Sequence, residues 1–258
     1  MIDTHAHLTD RVYANAEELI VQAKQAGVNK IITVGYDNLS SEKSALIASK
    51  YSDVFFTAGI HPSEALKVDN RAIDQLLPLF KSEKCLAVGE IGLDYHYGKD
   101  SKEEQKKLFV SQLQLAKKVN LPVVIHSREA TFDMLEILTA NKDCLQKGFL
   151  MHCYSESAES AKEYLKLGAY FAFGGAITFK NAKKEDIIRS IPIDRVLCET
   201  DCPYMSPVPY RGQTNLPVRV KEVYLKMAEV YGIELDELVQ TIKQNAVRFF
   251  QTEALGER

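Results

Sequence analysis

Pro122-Val123-Val124-Ile125-His126-Ser127-Arg128 is a short apolar run that ends in a histidine, and an amphipathic stretch, Ala130–Ala140, follows it. The run does not alternate apolar with polar residues. A strand with one wet face does alternate; a strand covered by helices on both faces reads as continuous Val, Ile and Leu. The run is therefore expected to be a buried strand of a parallel sheet. Ile31-Ile32-Thr33-Val34 repeats the pattern. Extended outward, the same rhythm predicts strands at Met1–His5, Lys30–Val34, Val54–Gly59, Leu86–Glu90, Pro122–His126, Gly148–His152, Tyr170–Gly174 and Arg195–Glu199. The intervening stretches predict helices at Asn15–Ala26, Ser41–Lys50, Ala72–Ser82, Lys102–Val119, Ala130–Ala140, Ala158–Leu167, Lys184–Ser190 and Val218–Tyr231. Leu235–Lys243 and Ala246–Gln251 read as two further helical pieces. Eight strand-then-helix units over about 250 residues is the pattern of an α/β protein of the (β/α)8, or TIM, barrel class. The competing doubly wound sheet usually carries a glycine-rich phosphate loop after its first strand. Here that position reads Ala6-His7-Leu8-Thr9-Asp10, without glycine.

The 258 residues are 46% apolar and 26% charged, enough to bury a core without disulfide staples. No linker or low-complexity tract divides them, so one domain spanning residues 1–258 is expected. The proline-dense segment 202–212 falls inside the last unit and reads as a stiff loop. Thirty-two Lys and Arg against 35 Asp and Glu give a net charge of −3, which argues against a protein that grips duplex DNA through a basic surface. Five cysteines, none in a C-x-x-C pair, point to reduced thiols. The first residues lack the basic and apolar regions of a secretory leader, and no apolar run approaches membrane-spanning length. A cytoplasmic protein with no membrane partner is the expectation.

The six histidines are placed with a pattern. His5, His126 and His152 fall at or beside predicted strand ends. His7 lies two residues past His5, and His61 closes Gly59-Ile60-His61-Pro62. Glu90 ends the fourth predicted strand, and Asp201 lies just past the eighth. In a barrel the C-terminal strand ends open on one face, where active sites lie, so these residues are predicted to converge. In an extended segment residues two apart point the same way, roughly 6.5–7 Å apart; His5 and His7 can thus clamp one divalent ion. The plainer alternative is one buried, hydrogen-bonded imidazole and one at a loop mouth. With Glu90, His126, His152 and Asp201 the donor set reaches four imidazoles and two carboxylates, which with water suits two ions. Such a mixed set fits Zn²⁺, Mn²⁺, Co²⁺ or Fe²⁺, while Mg²⁺ prefers oxygen. Spacing does not choose among them.

His5-Ala6-His7, Gly59-Ile60-His61-Pro62, Gly89-Glu90-Ile91-Gly92-Leu93-Asp94-Tyr95, Ile125-His126-Ser127-Arg128, His152-Cys153-Tyr154-Ser155 and Glu199-Thr200-Asp201-Cys202-Pro203-Tyr204 stand in the order and spacing of the TatD-type metal-dependent deoxyribonucleases. The chain resembles that family, barrel members of the amidohydrolase superfamily, along its whole length. The resemblance implies a hydrolase that cleaves DNA phosphodiesters, often from the 3′ end of single strands, with two divalent ions (zinc, magnesium or manganese). It implies that His5 and His7 hold one ion, that Glu90 bridges two, and that His126 and His152 hold the second. By the same resemblance Asp201 binds metal and helps activate water, giving Asp201, Glu90 and His61 as catalytic candidates. His61, Arg128 and Lys180 are implied contacts to substrate phosphate.

Two departures from the family pattern stand out. Glu156 replaces a usual glycine, and Thr214-Asn215-Leu216-Pro217 lacks a usual acid. A carboxylate at position 156 would repel a phosphate chain. This keeps open the same site acting on a lactone, an aminoacyl or other ester, or a phosphotriester; a metal-binding barrel without catalysis is the third reading. Tyr95, Tyr97, Tyr204 and Tyr210 are candidates for stacking on unpaired bases, and equally for ordinary packing. Glu199 is expected either to orient a ligand or to be buried and paired. Oligomeric state is not legible in the sequence.

Overall fold

The computed structural model describes residues 1–256. Eight parallel strands alternate with helices: β1 (Ile2–Ala6), α1 (Ala16–Gln25), β2 (Lys30–Val34), α2 (Asn38–Lys50), β3 (Val54–Ala58), α3 (Asn70–Leu76), β4 (Cys85–Asp94), α4 (Lys102–Val119), β5 (Val123–Arg128), α5 (Thr131–Ala140), β6 (Phe149–Met151), α6 (Ala158–Lys166), β7 (Tyr170–Phe173), α7 (Glu185–Ser190), β8 (Val196–Cys198) and α8 (Val220–Tyr231). A last helix, α9 (Leu235–Phe250), follows. The sheet order is β1 through β8 without rearrangement, the topology of a (β/α)8 barrel. Strand residues are buried nearly throughout, as continuous apolar runs require.

Two compact units make up the chain. The first holds residues 1–33, 153–162 and 170 onward; the second holds 34–152 and 163–169. In the first, Ile31, Ile32, Phe171, Phe173, Val196 and Leu197 form a core with Val223, Tyr224 and Met227 of α8 and Phe249 of α9. In the second, Phe56, Val88, Ile91, Val123, Ile125 and Phe149 do so with Phe109, Leu113 and Ala116 of α4.

Several boundaries differ from the sequence expectation for identifiable reasons. Helix α2 begins at Asn38, three residues early, because Asp37 accepts the Ser40 N–H at 2.6 Å and the Ser40 hydroxyl answers the Asp37 N–H at 2.9 Å, a capping box. The stretch expected to be helical over 72–82 is α3 and then a separate turn at Leu79–Lys81, since Pro78 cannot continue an α-helix. The two expected C-terminal pieces are one helix. Asn245 sits buried in its middle and donates to Ile193 O and Val196 O, both at 2.8 Å, so it ties α9 down instead of breaking it. Strand β4 runs four residues past Glu90, to Asp94. Its extension pairs with β5 in the register Gly92 with His126 and Asp94 with Arg128. Gly92 has φ +142°, and a Cβ there would sit 2.0 Å from His126 O, so only glycine lets β4 pass His126 so closely.

Candidate functional site

In the second unit, β4, β5 and the end of β6 bring Glu90, His126 and His152 together. Glu90 Oε1 lies 2.9 Å from His126 Nδ1 and 2.8 Å from His152 Nε2. The two imidazole nitrogens are 3.4 Å apart. Two nitrogens about 2.1 Å from one tetrahedral ion are themselves about 3.4 Å apart, so the two imidazoles are spaced to hold a metal, with Glu90 at hydrogen-bond distance from both. Burial opposes charge on Glu90, but the imidazoles of His152, His61 and His126 outweigh it and hold its carboxyl well below the usual range. Burial likewise disfavours charge on His126; the Asp94 and Glu90 carboxylates overcome this and raise its pKa.

His61 joins the same cluster. Its donor atoms, with those of Glu90 and His126, all lie within 4.8 Å of one another, and Nε2 is 3.8 Å from Glu90 Oε1. Its Nδ1, however, accepts the Ser63 N–H at 3.1 Å. Burial pushes its pKa down to about 3, so the ring is neutral at pH 7. A neutral ring that accepts at Nδ1 carries its proton on Nε2. His61 therefore presents a donor toward the cluster. The main chain beside it is clamped by Gln112 of α4, which accepts the Ile60 N–H at 2.8 Å and donates to Ile60 O at 2.9 Å. Two turns earlier on the same face, Gln105 does the same for Asp94, accepting its N–H at 2.8 Å and donating to its carbonyl at 3.0 Å. Both glutamines are buried.

In the first unit, β1 and the segment leaving β8 form a second cluster. Asp201 Oδ1 lies 3.4 Å from His7 Nε2 and 3.9 Å from His5 Nε2. These separations suit donors sharing one ion better than N–H···O bonds. The alignment is set by backbone pairing: Asp201 N–H donates to His5 O at 2.9 Å and His7 N–H to Cys202 O at 2.8 Å. Asp201 itself takes the left-handed conformation, φ +53°, which costs a non-glycine residue of order 1 kcal/mol and is typical of functional positions. Asp3 holds the arrangement from behind. It accepts the Thr200 N–H at 2.9 Å and the Thr200 hydroxyl at 2.6 Å, and its burial pushes its carboxyl up to about 8. Asn215 donates to Thr200 O at 2.9 Å and Tyr204 O at 2.8 Å, fastening the loop beyond Asp201.

The remaining candidates separate clearly. Arg128 and Lys180 are exposed. The Arg128 guanidinium lies 4.8 Å from the centre of the Tyr97 ring, which is 77% exposed. Tyr204 is also exposed. Tyr95 is not available for stacking: it is buried and its hydroxyl donates to Asp133 at 2.6 Å. Tyr210 has Arg219 4.4 Å over its ring. Glu199 is buried and accepts the Cys153 N–H at 2.6 Å. Glu156 is half-buried, Leu216 likewise, and all five cysteines are unbridged. Sequence reasoning missed Asp94, Gln105, Gln112, Asp3 and Asn215. The signal for the glutamines was present: two polar residues seven apart on the otherwise apolar stripe of α4.

Histidine and carboxylate clusters carried at the strand ends of a (β/α)8 topology define a metal-dependent hydrolase, and the comparisons with known proteins agree. The family model described as TatD related DNase matches residues 2–251. The uncharacterized metal-dependent hydrolase YabD of Bacillus subtilis (strain 168) is 40% identical, covering 97% of this chain and 99% of its own. The uncharacterized metal-dependent hydrolase YcfH of Escherichia coli K12 is 34% identical over 98% of this chain and 97% of its own. The crystal structure of YjjV, a TatD homologue from the same organism, superposes with a TM-score of 0.92 at 31% identity, covering 98% of both chains. The chain belongs to the TatD-related DNase family. Among the described residues no helix is long and apolar enough to cross a membrane.

Proposed function

We propose that the protein is a deoxyribonuclease that uses two divalent ions, zinc, magnesium or manganese, to hydrolyse DNA phosphodiesters, releasing nucleotides from the 3′ end of single strands. His5, His7 and Asp201 serve as donors to one ion, and Glu90, His126 and His152 as donors to the other. The observation that carries this reading is the Glu90–His126–His152 trio, whose nitrogen separation of 3.4 Å is that of two ligands on one ion; membership of a DNase family supports the substrate. A bound divalent ion supplies Lewis acidity, lowering the pKa of water and neutralising phosphate oxygens. Asp201, partly exposed at its carboxylate, takes the proton from the attacking water. His61 donates a hydrogen bond from Nε2–H to a phosphate oxygen, for which its neutral tautomer fits it. Arg128 and Lys180, both exposed, engage phosphates of the strand. The net charge of −3 then means weak affinity for long duplex and strong dependence on the ions.

The test is digestion of single strands labelled at the 5′ or 3′ end, with zinc, magnesium or manganese, beside His126→Ala and a chelated control. A ladder shortening from the 3′ end, lost with chelator, is the expected result. Intact DNA under every ion, with the wild-type fold verified, would refute the assignment. A parallel panel of lactones, esters and phosphotriesters would then find the substrate class.

A further inference from the structure

Asp94 was not among the residues expected to act, yet both of its carboxylate oxygens are engaged. Its Oδ2 lies 3.1 Å from His126 Nε2. Its Oδ1 accepts two backbone N–H groups, those of His96 and Tyr97, each at 2.9 Å. Its own main chain is held by Gln105 at both N–H and C=O, and it is 3% exposed. The carboxylate therefore has no freedom to turn, and each oxygen has a fixed task.

We infer that Asp94 is a positioning residue that sets the tautomer of His126: by accepting a hydrogen bond from Nε2–H it leaves Nδ1, the atom facing Glu90 and His152, as the metal-binding nitrogen. This rests on the reading of His126 as a ligand. A ligand histidine whose other nitrogen donates to a carboxylate is held in orientation and made more basic. The same carboxylate ties that ligand to the turn bearing Tyr97, which packs against Arg128. Metal site and exposed rim thus share one anchor.

Asparagine separates this role from mere packing, because it matches the carboxylate in shape but offers one acceptor and one donor. With its oxygen toward the His96 and Tyr97 N–H groups, its amide faces His126 Nε2, which must then accept. The ring proton moves to Nδ1 and the ligand atom is lost. With the amide reversed, donors face donors in the turn. Either way Asp94→Asn damages the metal site without removing a ligand.

The experiment measures zinc affinity by calorimetry for wild type, Asp94→Asn and His126→Ala, and reads the imidazole ¹⁵N shifts of the zinc-loaded proteins. Asp94→Asn is expected to weaken one ion about 10–100-fold and leave the other unchanged. If His126→Ala loses an ion while Asp94→Asn binds both as tightly as wild type, the inference falls and the ligand reading survives. If His126→Ala itself binds zinc unchanged, the ligand reading falls and takes the inference with it. Should Asp94→Asn fail to fold, the wild-type spectrum decides: His126 protonated at Nε2 upholds the assignment, and protonation at Nδ1 overturns it.

Discussion

Gln112→Met tests the clamp that positions His61, and its cost can be worked from the structure. Gln112 and Ile60 are both fully buried. The amide satisfies both main-chain groups of Ile60, at 2.8 and 2.9 Å. Methionine has nearly the same length and volume, so packing changes little, by less than about 1.5 kcal/mol. The buried Ile60 N–H loses its acceptor, at about 1–3 kcal/mol, and the carbonyl loses its donor at somewhat less. A total near 3 kcal/mol follows, or roughly 6–12 °C in Tm for a chain of this size. Gln105→Met should cost a similar amount: Asp94 O still receives the Gly98 N–H at 3.2 Å, but Gln105 also donates to Gly98 O and Ser101 Oγ, both at 3.0 Å. Gln114→Met, on an exposed position of the same helix, is the control and should stay within about 0.5 kcal/mol. Urea unfolding followed by circular dichroism, in chelator so that metal linkage does not enter, gives all three. A Gln112→Met chain as stable as the control would refute the clamp.

Other expectations follow from separate features. Gly92→Ala forces a Cβ into His126 O at 2.0 Å; loss of soluble protein, or of one bound ion by metal analysis, is expected, and a stable variant with full metal content would contradict the register described. Asp133, held by Lys106 at 2.8 Å and by the Tyr95 hydroxyl, has its pKa lowered by those partners. A depressed carboxyl stabilises the fold above its unfolded pKa and loses that stabilisation as pH falls through its folded value. Asp133→Asn should therefore cost about 1 kcal/mol at pH 7, with the gap to wild type closing below about pH 4 in paired unfolding curves. Removing metal should lower stability by about 2.7 kcal/mol for each ion, relative to protein held at a hundred times that ion's dissociation constant, read as a Tm shift reversed by adding the ion back. Asp201→Asn should reduce DNA hydrolysis by about 10²–10⁴-fold in the end-labelled assay while the fold persists.

The class of fold and the order of its strands are written in the sequence. Continuous apolar runs such as Val123-Val124-Ile125 have one physical solution, a strand covered on both faces, and their alternation with helices gives the topology. It also pointed to Glu90, His126 and His152, because a polar residue closing an apolar run is visible as a break in the pattern. What it could not give was which polar groups hold others in place. Asp94 lies in a motif that was legible, but its three partners come from β5 and its own turn, and a carboxylate's orientation has no sequence period. Gln105 and Gln112 are visible as polar breaks in the apolar stripe of α4, but the main-chain groups they satisfy, at Asp94 and Ile60, are not. The C-terminal helix read as two pieces because Asn245 is a weak helix former; contacts to Ile193 and Val196 override that preference. Local pattern encodes burial, since burial acts residue by residue through the hydrophobic effect. Tautomers, clamps and caps depend on partners distant along the chain, and those meet only in the tertiary structure.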